Sequence, residues 1–467
     1  MRRVRTGSRQ GAGAIITVAA LSAAFGTTLV QVVAGMMASL HAQRLEDVAN
    51  VALTLGMVGA VFFTIAVYVG GIVTANAVST VIAGRTREIA LLRLLGASGR
   101  SLRGGVVRDG LRQGVLGAVI GLIIGAGLVA AGAEVAFSSG AFTRFDYPLL
   151  SPFVVLPLLA VIASTVIASW AGSRRVLAVA PAQALGSSTE PSYEELRRRS
   201  GRTVTSVVLV VLGGLLLGGG VLLGTITPLG VLPALLGGVL SFSGIVLGSS
   251  VFLPPLTALT GRVLGRGPVA RLASANAIRN PARSARAVIG LVIGVSLVTM
   301  FAVAAATFGS IMRRSGELNP EGYEQFEQFV SVSTAVMSVL LGFSVVLAAV
   351  GMISTLSLSV LQRRRELGLL RALGFTGSQV RAMVVLEAAQ MIIAAALFGL
   401  VLGSVYGWCG AVSIFASVPH GGIIPPTIPV AMLASVLAVS VVITAISSVL
   451  PARAATRVSP VAALAVI

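Results

Sequence analysis

The chain has 467 residues, of which 56% are hydrophobic and only 10% are charged, and its formal net charge is +19. This composition excludes an ordinary soluble domain and indicates a polytopic membrane protein. All 34 basic residues are arginine, and the lack of lysine excludes a phosphate-binding GxxxxGK[ST] loop and a lysine Schiff base. One cysteine, Cys409, and two histidines are too few for an intrachain disulfide or for a zinc or iron–sulfur site.

Ten apolar segments are each long enough to cross about 30 Å of hydrocarbon as a helix. They cover roughly residues 14–40, 51–82, 112–136, 149–172, 204–225, 231–254, 286–311, 328–361, 384–410 and 428–450. The basic N-terminus followed by an apolar run resembles a signal peptide. The run is too long for one, so we expect it to be retained as the first span.

The arginines orient the stack of spans. With both termini in the cytoplasm, thirty of the 34 arginines fall in cytoplasmic segments, and only Arg44, Arg144, Arg313 and Arg314 fall outside. The positive-inside rule therefore predicts this topology. Because the arginines lie between spans and have few aromatic neighbours, we assign the charge to loops and expect no nucleic-acid partner.

Two short basic stretches repeat each other without a gap, at one constant offset in the numbering. We call them the first elbow, Arg85 to Gly104, and the second elbow, Arg363 to Ala382. The identical positions begin with Arg85 and Arg363 and end with Arg103 and Arg381. A match of this kind over about 20 residues indicates an internal repeat.

Each elbow is predicted to form a short helix on the cytoplasmic membrane face, over about 85–97 and about 363–375. Leu91, Leu92 and Leu95 would form an apolar stripe, with the arginines away from it. Gly96 stands where a glycine would end the helix. The alternative is an ordinary basic loop that only fixes topology, although such a loop does not need the repeated pattern.

The repeat continues beyond the elbows. Small residues recur every fourth position in the third span, at Gly117, Gly121 and Gly125, and in the ninth, at Gly399 and Gly403. Such a spacing favours close helix packing within lipid. The chain is therefore predicted to be all-α, with two parallel four-helix repeats at 1–187 and 286–467. Residues 188–285 would supply a cytoplasmic linker, a two-helix hairpin and a cytoplasmic lead-in to the second repeat.

The stretches NAVSTVIAGRTREIALLRLLGAS and LSVLQRRRELGLLRALGFTGSQV resemble the hallmark of the FtsX/MacB-type permease family, the membrane subunits of type VII ABC transporters. The resemblance implies that each elbow is a coupling helix that docks on a separate cytoplasmic ATPase. The residues that it assigns to the two docking sites are Arg85, Arg87, Glu88, Leu91, Leu92, Arg93 and Gly96, and Arg363, Arg365, Glu366, Leu369, Leu370, Arg371 and Gly374. It also implies two ATPase copies per chain.

The same resemblance implies a bacterial plasma-membrane permease with no catalytic residue, metal or cofactor of its own, since ATP and magnesium would bind to the ATPase. A large extracytoplasmic domain, found in many members, does not fit in the short outside loops here. We expect a lipid-facing groove for an amphipathic or lipid-like compound, with Phe62, Phe63, Tyr68 and Phe343 as candidate lining residues. The cargo could be an antibiotic or antimicrobial peptide to which the permease confers resistance.

Two other functions stay open from the sequence. One is a mechanotransmitter that regulates a small extracytoplasmic partner, such as a cell-wall enzyme, without moving cargo. The other is a secondary carrier, which usually needs a buried acidic residue or broken helices at mid-membrane. The ionisable residues near the spans, such as Asp109, Glu134 and Glu387, lie near span ends, which weighs against a carrier.

Overall fold

A computed structural model gives the architecture of the chain. The structure describes residues 9–42, 48–84, 86–138, 151–174, 200–264, 267, 271–275, 281–318, 374–430, 434 and 438. The described helices fall into two compact units. One lies within residues 1–188, and the other lies within residues 189–337 and 348–467. Each unit is described by itself below.

The described part of the chain contains nine principal α-helices. They are α1 (Arg9–Ala42), α2 (Val48–Gly84), α3 (Thr86–Leu94), α4 (Gly99–Ser138), α5 (Val155–Gly172), α6 (Ser200–Gly224), α7 (Val231–Leu264), α8 (Pro281–Leu318) and α9 (Gly377–Phe415). One-turn 3₁₀ helices, Pro152–Val154 and Pro228–Gly230, lead into α5 and α7. A proline at the start of each short helix has no N–H to leave unpaired.

Eight of these helices are long and apolar enough to cross a membrane, all except α3. They correspond to eight of the ten predicted spans. The span predicted at 328–361 lies outside the described residues, and so does nearly all of the span at 428–450. Helices satisfy their own backbone polar groups, which is what a segment in hydrocarbon requires. The predicted fold class, an all-α polytopic membrane protein, is confirmed.

Two helices run well beyond the predicted spans. Helix α4 begins at Gly99, whereas the apolar segment begins near residue 112, and its first turns carry exposed arginines such as Arg100 and Arg108. Helix α7 continues through Pro254 and Pro255 to Leu264, past the predicted end near residue 254. Hydropathy locates only the part of a helix that lies in lipid. The backbone hydrogen bonds of the helix continue beyond the apolar segment until a residue that ends the helix.

In the first unit, α1 lies against α2, α4 and α5, and α5 also packs on α2 and α4. The contact of α1 with α4 is the most extensive in this unit. Buried alanines fill it, with Ala19, Ala23 and Ala118 in one cluster with Val161. Small side chains allow the helix axes to approach closely, so α1 is the central helix of the unit.

In the second unit, α8 packs on α9, the hairpin of α6 and α7 packs on α9, and α7 also contacts α8. Near its turn, the hairpin is held by a cluster that includes Leu217, Ala234, Cys409 and Val412. Nearer the middle, the hydroxyls of Ser241 and Tyr406 share a hydrogen bond of 2.9 Å. The hairpin therefore belongs to the same compact unit as α8 and α9.

Candidate functional site: the two elbows

The first elbow is built by α3 and the turn that joins it to α4. Helix α3 begins at Thr86, two residues after α2 ends at Gly84, and it ends at Leu94. Arg85 and the side chains of Arg87 and Glu88 lie outside what the structure describes. In the second elbow, residues 363–373 also lie outside it, which leaves Arg363, Arg365, Glu366, Leu369, Leu370 and Arg371 untested. The description resumes at Gly374.

The inward face of α3 consists of Ile89 and Ala90. Ala90 is fully buried, and Ile89 packs on a cluster made by Ile15 of α1 and by Val78 and Ile82 of α2. Leu102 and Val106, in the extended first turns of α4, complete the same cluster. The elbow helix is thus packed against three long helices at once.

The outward face of α3 is apolar too. Leu91 is 47% exposed and Leu95 is 84% exposed, and Leu92 and Leu94 are exposed as well. Arg93 is half-buried and Arg100 is exposed. The predicted leucine stripe therefore points away from the unit, while Ile89 and Ala90 make the internal contact. Four adjacent exposed leucines are unusual on a surface unless they meet a partner or lipid. We call these four leucines the leucine patch.

A glycine in a left-handed conformation ends α3. Gly96 has φ +91°. Its N–H donates to the Arg93 carbonyl at 3.1 Å, and the Ala97 N–H donates to the Leu92 carbonyl at 2.9 Å. These two bonds form a Schellman motif, which caps the last carbonyls of a helix. Two residues later, the Ser98 hydroxyl accepts from the Ser101 N–H at 3.1 Å and starts α4.

The second elbow also has a left-handed glycine, at the position that the repeat pairs with Gly96. Gly374 has φ +98°. Thr376 is the N-cap of α9 and forms a capping box with Gln379: the Thr376 hydroxyl accepts from the Gln379 N–H at 3.3 Å, and the Gln379 side chain accepts from the Thr376 N–H at 2.9 Å. Ser98 and Thr376 are absent from the site predicted from sequence. The T-x-x-Q pattern at Thr376 is a signal that could have found the second of them.

Replacing Gly96 by alanine tests this geometry. A Cβ at Gly96 would meet nothing within 4 Å, so the cost of Gly96→Ala is the left-handed backbone alone, about 1–2 kcal/mol. Gly104, within helix α4, also has open space around it, and there alanine should stabilise by up to about 1 kcal/mol. We expect thermal unfolding in detergent to shift downward for Gly96→Ala and upward for Gly104→Ala. Shifts of the same sign would contradict the assigned backbone conformation.

An aromatic clamp holds α4 to α5 at the end of the first elbow. The guanidinium of Arg103 lies 4.4 Å from the centre of the Trp170 ring, and that of Arg174 lies 4.8 Å from it. Arg103 also donates to the Trp170 carbonyl at 2.9 Å and to the Ser173 hydroxyl at 3.3 Å. Arg103 thereby serves a structural contact within the first unit, where its charge supports packing of α4 on α5.

Gly117, Gly121 and Gly125, the glycines that recur every fourth position in the third span, all face α1. A Cβ at Gly117 would lie 2.5 Å from the Ala19 Cβ, and one at Gly125 would lie 2.8 Å from the Ala24 carbonyl. At Gly121 it would overlap the Ala20 carbonyl and lie 2.7 Å from the Ala24 nitrogen. Only glycine allows the two backbones to approach this closely.

The second unit repeats this contact between α9 and α8. A Cβ at Gly399 would lie 2.9 Å from the Val295 Cβ, and one at Gly403 would lie 2.6 Å from the Ser296 carbonyl. The repeat pairs these two glycines with Gly121 and Gly125. Val295 and Ser296 of α8 occupy the places that Ala23 and Ala24 of α1 occupy in the first unit. The offset between these residues is slightly smaller than the offset between the paired glycines. The two units therefore share one packing scheme, with a slightly longer stretch of chain between the paired helices of the second.

The candidate groove residues lie on α2 in the first unit. Phe62 is buried, whereas Phe63 and Tyr68 are half-buried. The Phe63 ring packs close to Gly26 of α1, where an added Cβ would lie 2.9 Å from its Cε2 atom. Phe343 lies outside the described residues. In the described part of the chain, no group of three or more histidine, cysteine or acidic side chains is placed to hold a metal ion.

Comparison with known proteins identifies the family. A model of the FtsX-like permease C-terminal family matches the chain twice, at residues 60–181 and 338–460. The two matches cover more than half of the chain. The second match starts as many positions after the first as Arg363 lies after Arg85. The family matches and the sequence repeat therefore agree in register.

Two relatives share part of the chain. One is the lipoprotein-releasing system transmembrane protein LolC of Haemophilus influenzae, 28% identical over 141 residues. The other is an uncharacterized ABC transporter permease of Methanocaldococcus jannaschii, 29% identical over 147 residues. Each match covers 30% of this chain and 36% of the relative, so the chain spans about a third of the length of either protein. On the family matches, the chain belongs to the FtsX-like permease family and contains its domain twice.

Proposed function

We propose that this chain is the membrane-spanning permease subunit of an ATP-driven ABC transporter, and that a separate cytoplasmic ATPase docks on its elbows. The observation that carries the proposal is the leucine patch on α3. It is apolar, it lies at the arginine-rich end of the unit, and Ile89 and Ala90 anchor its helix on three long helices. A docking surface that moves the membrane helices needs both exposed contacts and a rigid attachment.

The second elbow would supply an equivalent docking surface, because it repeats the sequence of the first and ends at the same kind of glycine. One chain would then bind two copies of the ATPase. ATP and magnesium would bind to that partner, since the chain has no lysine with which to build a phosphate-binding loop. ATP-driven closure of the ATPase pair would move α3 and its counterpart as levers.

The proposed cargo is an amphipathic or lipid-like compound that is exported or extracted from the membrane. The apolar helix surfaces support this class, and so does the relative that is named for lipoprotein release. Phe63 and Tyr68 are the better candidates for lining a groove, because Phe62 is buried within its unit. Phe343 stays a candidate on its position in the sequence.

The proposed setting is a bacterial plasma membrane, with both termini in the cytoplasm and the two repeats at 1–187 and 286–467. The distribution of arginine supports this orientation. The hairpin of α6 and α7 lies between the repeats in sequence, within the segment 188–285, and packs on α9.

The test is purification of the tagged chain from native membranes in mild detergent with trapped nucleotide, followed by mass spectrometry of what accompanies it. We expect an ABC ATPase at two copies per chain, and lipids that co-purify would identify the cargo class. Recovery of one ATPase copy would overturn the proposed role of the second elbow. If no ATPase is recovered, and vesicles show activity driven by an ion gradient, the proposed function is wrong.

A further inference from the structure

A short non-helical segment follows α9 and turns back along its own unit. Helix α9 ends at Phe415, and the chain reverses through two left-handed residues, His420 with φ +62° and Gly422 with φ +64°. The Gly421 N–H donates to the Val418 carbonyl at 2.8 Å, and the Gly422 N–H donates to the Ala416 carbonyl at 3.0 Å. Residues 421–429, which we call the return segment, then run without regular secondary structure.

Its hydrogen bonds show the direction in which the segment runs. Before the turn, the Ser315 hydroxyl near the end of α8 donates to the Pro419 carbonyl at 2.9 Å. Further along the chain, the Thr427 hydroxyl lies 2.7 Å from that of Ser310, and the Thr427 N–H donates to the Thr307 hydroxyl at 3.4 Å. From Ser315 to Thr307, α8 rises about 12 Å. The chain therefore descends by about that distance beside α8.

The contact with α9 agrees with this descent. The indole N–H of Trp408 donates to the Ile424 carbonyl at 2.6 Å. Trp408 lies seven residues before the end of α9, which is about 10 Å along its axis. Trp408 lies inside the apolar span Gly377–Phe415, and Thr307 and Ser310 lie inside the span Val288–Ser315. The return segment thus runs beside the last turns of two helices that are long and apolar enough to cross a membrane.

Non-helical backbone at this depth requires that its polar groups be few or paired. Pro425, Pro426 and Pro429 have no N–H to pair. The Thr427 N–H and the Ile424 carbonyl have side-chain partners on α8 and α9. The sequence GGIIPPTIPV of residues 421–430 also contains no charged residue. With no charge, and with several of its N–H groups absent or paired, the segment is suited to the boundary between headgroups and acyl chains, although it is not a helix.

Its outward side chains are apolar. Ile423 is 49% exposed and Ile428 is 48% exposed, and Val430 just beyond the segment is exposed as well. Ile424, between them, is buried against the helices. We propose that the return segment is an interfacial membrane anchor, which places Ile423 and Ile428 among the lipid acyl chains of the leaflet opposite the second elbow. This inference rests on the chain spanning a membrane, and it is independent of ATPase docking.

Continuity with the helix surface favours lipid over a protein partner. The segment contacts Trp408, which follows the exposed Val401 and Val405 on one side of α9, so the apolar surface that presents Ile423 and Ile428 continues along α9. A surface that binds an extracytoplasmic protein would face water. The two possibilities therefore differ in whether these side chains are reached from water or from lipid.

Single cysteines measure this difference in the full chain. Cys409 is the only cysteine, so Cys409→Ala provides the background. Spin labels at Ile423→Cys and Ile428→Cys in reconstituted bilayers are expected to collide readily with oxygen and poorly with a water-soluble nickel chelate. A label at His420→Cys, at the exposed turn, should show the reverse. If the labels at the two isoleucine positions collide with the nickel chelate as readily as the label at His420→Cys, the proposed membrane anchor is wrong.

A tryptophan measurement serves if the cysteine variants do not fold. The chain has two tryptophans, so Trp170→Phe leaves Trp408, which contacts the segment, as the sole emitter. Lipids brominated on the acyl chain close to the headgroup are expected to quench its emission, and more strongly than lipids brominated near the chain terminus. Absence of quenching from both lipids would place Trp408 and the return segment above the acyl region, which overturns the proposal.

Discussion

A Gly121→Val substitution in α4 is expected to destabilise the chain by about 3 kcal/mol, or to prevent its accumulation in the membrane. The added Cβ would overlap the Ala20 carbonyl and lie 2.5 Å from the Ala23 Cβ and 2.7 Å from the Ala24 nitrogen. Two of these three atoms belong to backbone, so α1 and α4 would have to move apart, and overpacking of this kind typically costs about 1–3 kcal/mol. The measurement is the amount of monodisperse protein recovered, together with its thermal unfolding in detergent.

The matched control is Gly127→Val on the same helix. A Cβ at Gly127 would meet nothing within 4 Å, and the residue is exposed. Both changes place a β-branched residue in a helix, so the difference between them isolates the contact with α1. In the second unit, Gly403→Val should behave like Gly121→Val, and Gly410→Val like the control. Equal losses for the test and control variants of either pair would refute the close approach.

Eight of the ten membrane spans fall on described helices, and they could be predicted from sequence because crossing hydrocarbon demands long apolar helices, which length and hydropathy show directly. The repeat could be predicted as well, because the elbows match without a gap and the glycines recur at the same offset. The equivalence between the contact of α1 with α4 and the contact of α8 with α9 could not be predicted from sequence. Helices α1 and α8 correspond at a different offset from the elbows, and their apolar sequences do not resemble each other enough to show it.

The orientation of α3 was also beyond the sequence. Its nine residues carry apolar side chains on more than one side, so periodicity cannot decide which side is internal. The surrounding helices determine the orientation of α3. Ile89 and Ala90 fit against α1, α2 and α4, and the leucines point outward. The return segment was missed for a related reason. Its glycines and prolines indicate a loop, and only the hydrogen bonds to Thr307 and Trp408 show that this loop descends along the helices.

The double substitution Leu91→Asp and Leu95→Asp is expected to abolish binding of the ATPase at the first elbow. Both side chains are exposed, so the folded unit should tolerate the change. An ATPase surface that buries them would have to desolvate two carboxylates, and we expect at least a tenfold loss of affinity, about 1.4 kcal/mol or more. The measurement is the number of ATPase copies that co-purify per chain, which should fall from two to one, together with the ATPase activity of the complex.

The control for charge and exposure is Val263→Asp near the end of α7, where the valine is also exposed. The proposed topology places this residue in the cytoplasm. It should retain both ATPase copies. The thermal unfolding temperature should be unchanged in the leucine variant, since Ile89 and Ala90 still hold α3 in place. If the leucine variant keeps two copies with unchanged affinity, the leucine patch is not the docking surface. Lipid would then be the remaining partner for these leucines.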